Sequence, residues 1–136
     1  MIDIRRARID VESVVDSVRR RDAGGLVAFV GTVRADPSVG ALDYEVYRPM
    51  ALKLLTDIAS RAKAKFGALD VSIVHRVGRI RIGEDAVVVA CSAAHRAPAF
   101  EACSWAMDEV KRVVPIWKTE PPTGLRRVRR QVSSRR

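Results

Sequence analysis

The stretch HRAPAFEACSWAMDEVKRVVPIWKTE, residues 95–120, governs how the rest of the chain is read. Phe100, Cys103, Met107, Val110 and Val114 step by three and four, the spacing of one buried helix face. Pro115 ends that helix, and residues 116–120 follow as a short strand. Immediately upstream, residues 86–94 (AVVVACSAA) are continuously apolar, as in a strand covered on both faces. A buried strand feeding an amphipathic helix predicts helices layered on a sheet.

Cations mark both ends of this helix. His95 and Arg96 fall where strand turns into helix, and the unpaired N–H groups of a helix start favour an anion. Arg96 offers a planar fork for phosphate or carboxylate, and His95 can donate to an anion or move a proton near neutral pH. Lys111 lies near the far end, one position round from Val110 and so at the margin of the buried face. Alternation puts Lys118 and Glu120 on one face of the following strand, beside Lys111. Two ammonium groups shielded by Trp117 would suit general acid–base work. Two solvated surface lysines would satisfy the same pattern.

Outward from this stretch, residues 2–9 alternate weakly, as an edge strand does. Asp10 is placed to cap a short helix with Val11, Val14, Val15 and Val18 on one side, closed by Gly24-Gly25. LVAFVGTVR, residues 26–34, reads as a strand buried on both faces, with Gly31 marking a bulge or close backbone approach. Arg34 leaves it as a loop begins, where it can serve a site or simply be a solvated strand end. Residues 42–47 alternate like a half-exposed strand. Pro49 suits the first turn of a helix with Leu52, Leu55, Ala59, Ala62 and Phe66 in one stripe, and Gly67 suits its C-terminal cap. Residues 69–77 form another strand, in which His75 is expected to be structural. Gly78 and Gly83 bracket a short piece before the strand of residues 86–94. The order β-α-β-β-α-β-β-α-β points to an α+β fold with helices over a mixed sheet.

At 136 residues, 48% hydrophobic and 30% charged, the chain fits one globular domain with its own core. That domain is expected over residues 1–125, with a basic, flexible tail over 126–136. The tail's six arginines supply six of the nine net positive charges, leaving +3 for the rest. No apolar run nears the ~20 residues of a membrane span. MIDIRRARIDVE interrupts its apolar residues with charge, unlike a signal peptide, so a cytoplasmic location is expected. Cys91 and Cys103 lack ligand spacing and read as small buried hydrophobes. The candidates Arg34, His95, Arg96, Lys111, Lys118 and Glu120 include no activated serine or cysteine, no carboxylate pair and no metal cluster. Such a set binds an anion and moves protons. Its nucleophile must come from elsewhere.

FVGTVR, LDYEVYRPMA, HRVGRIRIGE, AHRAPAFEA and DEVKRVVPIWKTE, in this order and roughly at these spacings, resemble the large, catalytic subunit of molybdopterin synthase. The resemblance covers about residues 26–120. It implies an α/β hammerhead fold with a small additional antiparallel sheet. It implies conversion of cyclic pyranopterin monophosphate to molybdopterin by insertion of two dithiolene sulfurs, in molybdenum cofactor biosynthesis, with no cofactor of the chain's own. The sulfur would arrive as the C-terminal Gly-Gly thiocarboxylate of a small ubiquitin-like subunit, in a heterotetramer built on a homodimer of large subunits. By resemblance, Thr32, Val33 and Arg34 would line the substrate pocket, and His95 and Arg96 would hold the phosphate or neighbouring oxygens. Lys111 would be the main catalytic lysine and Lys118 a second, with Lys118, Thr119 and Glu120 completing the pterin site. Phe29 and Met107 match positions near the pocket, and packing explains them equally. The C-terminal PPTGLRRVRRQVSSRR departs from the family's Gly-Glu and aromatic continuation, so no contact from it is assigned.

A rival from another class is nucleic-acid binding through the arginine tail. Against it, the chain has five aromatics besides its two tyrosines and no recognition motif. A sulfurtransferase carrying a persulfide on Cys91 or Cys103 would need an exposed thiolate, which their apolar setting disfavours.

Overall fold

The computed structural model describes residues 1–35, 41–119 and 129–131; the side chains of 117–119 and 129–131 lie outside that description. The elements are β1 (Ile2–Arg5), α1 (Val11–Ser17), β2 (Gly25–Thr32), β3 (Ala41–Val46), α2 (Arg48–Phe66), β4 (Asp70–Arg76), β5 (Gly78–Arg81), β6 (Asp85–Ala93), α3 (Arg96–Val113), β7 (Ile116–Thr119) and β8 (Arg129–Gln131). They build two four-stranded sheets, ordered β1-β4-β6-β2 and β5-β3-β7-β8. The first is mixed, since β1 runs parallel to β4 while the other pairs are antiparallel. The second is antiparallel throughout. Helices on a mixed sheet with a smaller antiparallel sheet is the expected α+β architecture.

Alternation along β6 divides the core in two. Val87, Val89 and Cys91 face the layer of α2 and α3, meeting Leu55, Ile58 and Cys103. Val88 and Ala90 face α1, meeting Val14 and Val18. Full burial of each such Val, Leu or Ile stabilises the fold by about 1.5–3 kcal/mol relative to exposure. Local signals set the helix ends. Asp10 accepts from the Ser13 N–H at 3.3 Å and caps α1. Gly67 closes α2 in the left-handed region at φ 73°.

The structure departs from the sequence reading in several places. β2 is an edge strand, so Phe29 remains 42% exposed and Ala28 is also exposed, where burial on both faces was expected. Three strands, not two, separate α2 from α3, because the piece after Gly78 pairs with β3 as β5. Phe100 is 61% exposed. Ala99, Ala102, Cys103, Ala106, Met107 and Val110 form the buried face instead, so the small alanines, not Phe100, set its centre. α1 ends at Ser17, well before the glycine pair. Apart from these departures, residues 129–131 pair with β7 as β8. The loop residues 36–40 and residues 120–128 and 132–136 lie outside the described residues.

Candidate functional site

α3 carries the two cationic ends. Its N-cap, His95, is extended (φ −131°, ψ 160°) and makes no capping hydrogen bond, and the first turn holds no acid. His95 and Arg96 are exposed. The helix therefore begins with free N–H groups and a guanidinium, a pairing suited to an anion. Its placement depends on Gly24 and Gly25. The Gly24 N–H donates to the carbonyls of Ala93 and Ala94 at 3.0 and 3.1 Å. A Cβ on Gly24 would meet the Ala94 carbonyl, and one on Gly25 would lie 3.0 Å from Arg96 Cα. The pair lets β2 start against the β6–α3 junction. Sequence reasoning took it for a helix stop; the clue available was two adjacent glycines directly before a strongly apolar strand.

Lys111 sits in the last turn of α3, half-buried. Its neighbour Arg112 is committed to Glu109, with Nε and Nη2 bonds of 3.0 and 2.8 Å, and Arg61 reaches the same carboxylate at 3.4 Å. The Arg112 hydrogen bond, followed by the charges of Arg112 and Arg61, holds Glu109 below the usual carboxylate range. Lys111 has no ion pair among the described residues, which leaves it available to a ligand. After Pro115 the chain enters β7, where Lys118 stands opposite Tyr44 and Thr119 opposite Asp43. The side chains of Lys118 and Thr119, and all of Glu120, lie outside the described residues.

Thr32, Val33 and Arg34 leave β2 through a register shift between Gly31 and Thr32, the irregularity that Gly31 suggested. A Cβ on Gly31 would lie 2.7 Å from Val87 Cγ1, so the close approach is also real. Val33 is buried and tied to the β5–β6 turn: its N–H donates to the Glu84 carbonyl at 3.0 Å, and its carbonyl accepts from Gly83 at 2.8 Å. Thr32 and Arg34 are exposed.

These residues fall into two groups. α3 starts beside the first residue of β2 and packs along that strand, whose far end leads to Arg34. Arg34 and Lys111 thus belong to one end of the layer and His95 and Arg96 to the other. Lys111 lies fifteen helical steps beyond Arg96, roughly 22 Å along the axis. One chain does not bring all four cations onto a small substrate.

The discounted residues behave as packing groups. Cys91 and Cys103 are buried, and the Cys103 thiol donates to the Val89 carbonyl at 3.4 Å. The neighbouring Cys103 thiol and burial push Cys91 up, away from thiolate chemistry. His75 is 4% exposed, and its ring lies 5.9 Å from that of Tyr44. Among the described residues no three His, Cys, Asp or Glu side chains cluster as metal ligands, and no helix is long and apolar enough to cross a membrane.

Residues 4–113 match the family described as MoaE protein. The chain is 43% identical over 122 residues to the molybdopterin synthase catalytic subunit of Thermoplasma volcanium, covering 88% of this chain and 89% of that one. It is 39% identical over 121 residues to the Bacillus subtilis protein of the same name, covering 87% and 77%. Among solved structures it superposes on molybdopterin synthase from Staphylococcus aureus with a TM-score of 0.87 and 34% identity, over 93% of this chain and 94% of that one. At 20% identity it shares its fold (TM-score 0.80, covering 98% and 91%) with a chain of the complex of subunits 1 and 2 of molybdopterin-converting factor from Helicobacter pylori.

Proposed function

The chain belongs to the MoaE family, the catalytic subunits of molybdopterin synthase, and on that premise we propose how its residues divide the work of sulfur insertion. The substrate is cyclic pyranopterin monophosphate, and the sulfur donor is the C-terminal thiocarboxylate of a small ubiquitin-like subunit. A thiocarboxylate supplies the nucleophile that Arg34, His95, Arg96 and Lys111 do not. Its sulfur attacks a side-chain carbon of the pterin, forming a C–S bond as that carbon's C–O bond to the cyclic phosphate breaks, and leaving the small subunit attached through an acyl–sulfur bond. Lys111 moves the proton, and the cyclic phosphate opens with its charge balanced by Arg34, His95 and Arg96. Water cleaves the acyl–sulfur bond, releasing the small subunit as a carboxylate. A second charged subunit then adds its sulfur to the neighbouring oxygen-bearing carbon, whose oxygen leaves as water, and is hydrolysed off in the same way. Lys118 acts as a second cation from β7, with Thr119 and Glu120 completing the pterin site.

The roughly 22 Å between the two cationic groups supports a site shared by two copies of the chain. His95 and Arg96 of one copy would complete the site that Arg34 and Lys111 of the other begin. The edge strand β2, with Ala28 and Phe29 exposed, is a surface where a second copy can dock and be covered. The H. pylori complex, itself an assembly of two kinds of subunit, agrees with a separate small partner.

The observation that carries the reading is the family match over residues 4–113, a span that contains Arg34, His95, Arg96 and Lys111. Mixing the protein with thiocarboxylated small subunit and the cyclic pterin, then assaying molybdopterin, tests it. Lys111→Ala should lower turnover by orders of magnitude while the small subunit still binds. Near-normal turnover in that variant would remove Lys111 from the mechanism.

A further inference from the structure

We propose that the arginine-rich end of the first sheet, organised around Glu84, is a docking surface for an acidic face of the small subunit. This rests on the sulfur-transfer reading above and assigns a task to residues outside the reacting groups. Glu84 lies in the turn between β5 and β6, and its backbone carbonyl holds Val33, the residue before Arg34. Its carboxylate accepts from Arg8 Nη2 at 2.8 Å, from Arg76 Nη1 at 3.2 Å and from the Arg81 backbone N–H at 3.0 Å. Arg76 also donates from Nε to the Arg6 carbonyl at 3.1 Å, fastening the segment after β1 to the same place. The arginines are thus gathered by a built network beside the strand exit that carries Arg34.

One carboxylate does not neutralise this assembly. Arg6, Arg34 and Arg81 are exposed and have no ion pair among the described residues. Arg8 keeps 79% of its side chain in solvent despite its bond to Glu84. The nearby acids are already shared with other cations: Asp3 by Arg5 and Arg48, and Asp43 by Arg79. Among the described residues, Asp10, which feels the charge of Arg5 but bonds to Ser13, and Asp85, opposite Thr32, are the remaining acids at this end of the strands. The surplus is positive, exposed and spread over the ends of β1, β2 and β4 of the first sheet and of β5 at the adjoining edge of the second. A monophosphate would need convergent donors, whereas this spread fits a macromolecule with distributed negative charge.

The patch favours a protein over nucleic acid, because none of its cations is interleaved with an aromatic side chain on which a base could stack. Its position also fits the reaction. The small subunit's tail must reach Lys111 at this end of the layer, and each product needs two deliveries, so the spent subunit must leave and a charged one arrive. Charge complementarity at a rim speeds encounter without adding a deep, slowly released contact.

The test is the double variant Arg8→Glu/Arg81→Glu, neither residue being in the proposed reaction site. Association of the small subunit is followed by stopped flow across a salt series, alongside molybdopterin formation and a melting curve. The expected result is an association rate at least tenfold lower at low salt, with a flattened salt dependence. The small-subunit concentration for half-maximal turnover should rise by a similar factor, while turnover at saturation stays within about twofold of the parent. Unchanged association rate and salt dependence in a folded, active variant would overturn the proposal. So would salt-sensitive binding of duplex DNA or RNA that the variant loses while small-subunit association is intact. Should the double variant not fold, Arg81→Glu alone, which breaks no ion pair among the described residues, carries the same test. Arginine-dependent association without molybdopterin formation by the parent protein would contradict the sulfur-transfer reading and leave the docking surface standing.

Discussion

Buried at 4% exposure, with its Nδ1–H donated to the Arg76 carbonyl at 2.7 Å, His75 is held as the neutral ring. Burial pushes its pKa down to about 4. The native state therefore refuses a proton that the unfolded chain accepts below about 6.5. The resulting stability is complete above that pH and is lost as pH falls through the window towards 4, in total on the order of 3 kcal/mol. Denaturant unfolding between pH 7.5 and 4.5 should show this slope, and a His75→Gln variant should show a shallower one. Equal slopes would mean that His75 is not buried as a neutral ring. Its structural role was legible because it shares a strand face with Val71 and Ile73, both buried in the same core. The same logic misplaced Phe100. A period of three and four fixes that a helix has a buried face, and a run rich in alanine lets that face be centred one residue away. The cap residues Asp10 and Gly67 were legible for a simpler reason, since their conformations are local.

At the level of elements, the short strand–turn–helix passage from β6 into α3 has the least room for change. Gly24→Ala places a Cβ against the Ala94 carbonyl, and backbone cannot swing aside as a side-chain tip can. The variant should lose about 1–3 kcal/mol of stability, read as a lower melting temperature. Because the junction carries His95 and Arg96, turnover at a temperature where the variant is folded should fall as well. Normal turnover there would show that the α3 start tolerates displacement. The alternation and periodicity of β3, α2, β4, β6 and α3 were readable, because each pattern repeats along several residues. β5 was missed because it is four residues long, and its pairing with β3 is a long-range choice that no local pattern records. β2 was misjudged for a related reason: apolar composition marks a strand that will be covered, without saying whether its own chain covers it.

Across the whole molecule, the distribution of cations is the main result. Reading residues 95–120 as one stretch suggested one wall of one pocket. The structure turns that stretch into an 18-residue rod with a candidate subsite at each end. The sequence lists cations suited to an anionic substrate, and the helix length adds that they divide between its two ends. If two copies share each site, defects at opposite ends should complement. Mixing Lys111→Ala with Arg96→Ala chains under exchange gives dimers in which one site carries both lesions and the other carries none. The mixture, supplied with thiocarboxylated small subunit and the cyclic pterin, should recover molybdopterin formation to roughly a quarter of the parent rate from two nearly inactive variants. A mixture no more active than the two variants assayed separately, with exchange confirmed, would contradict it.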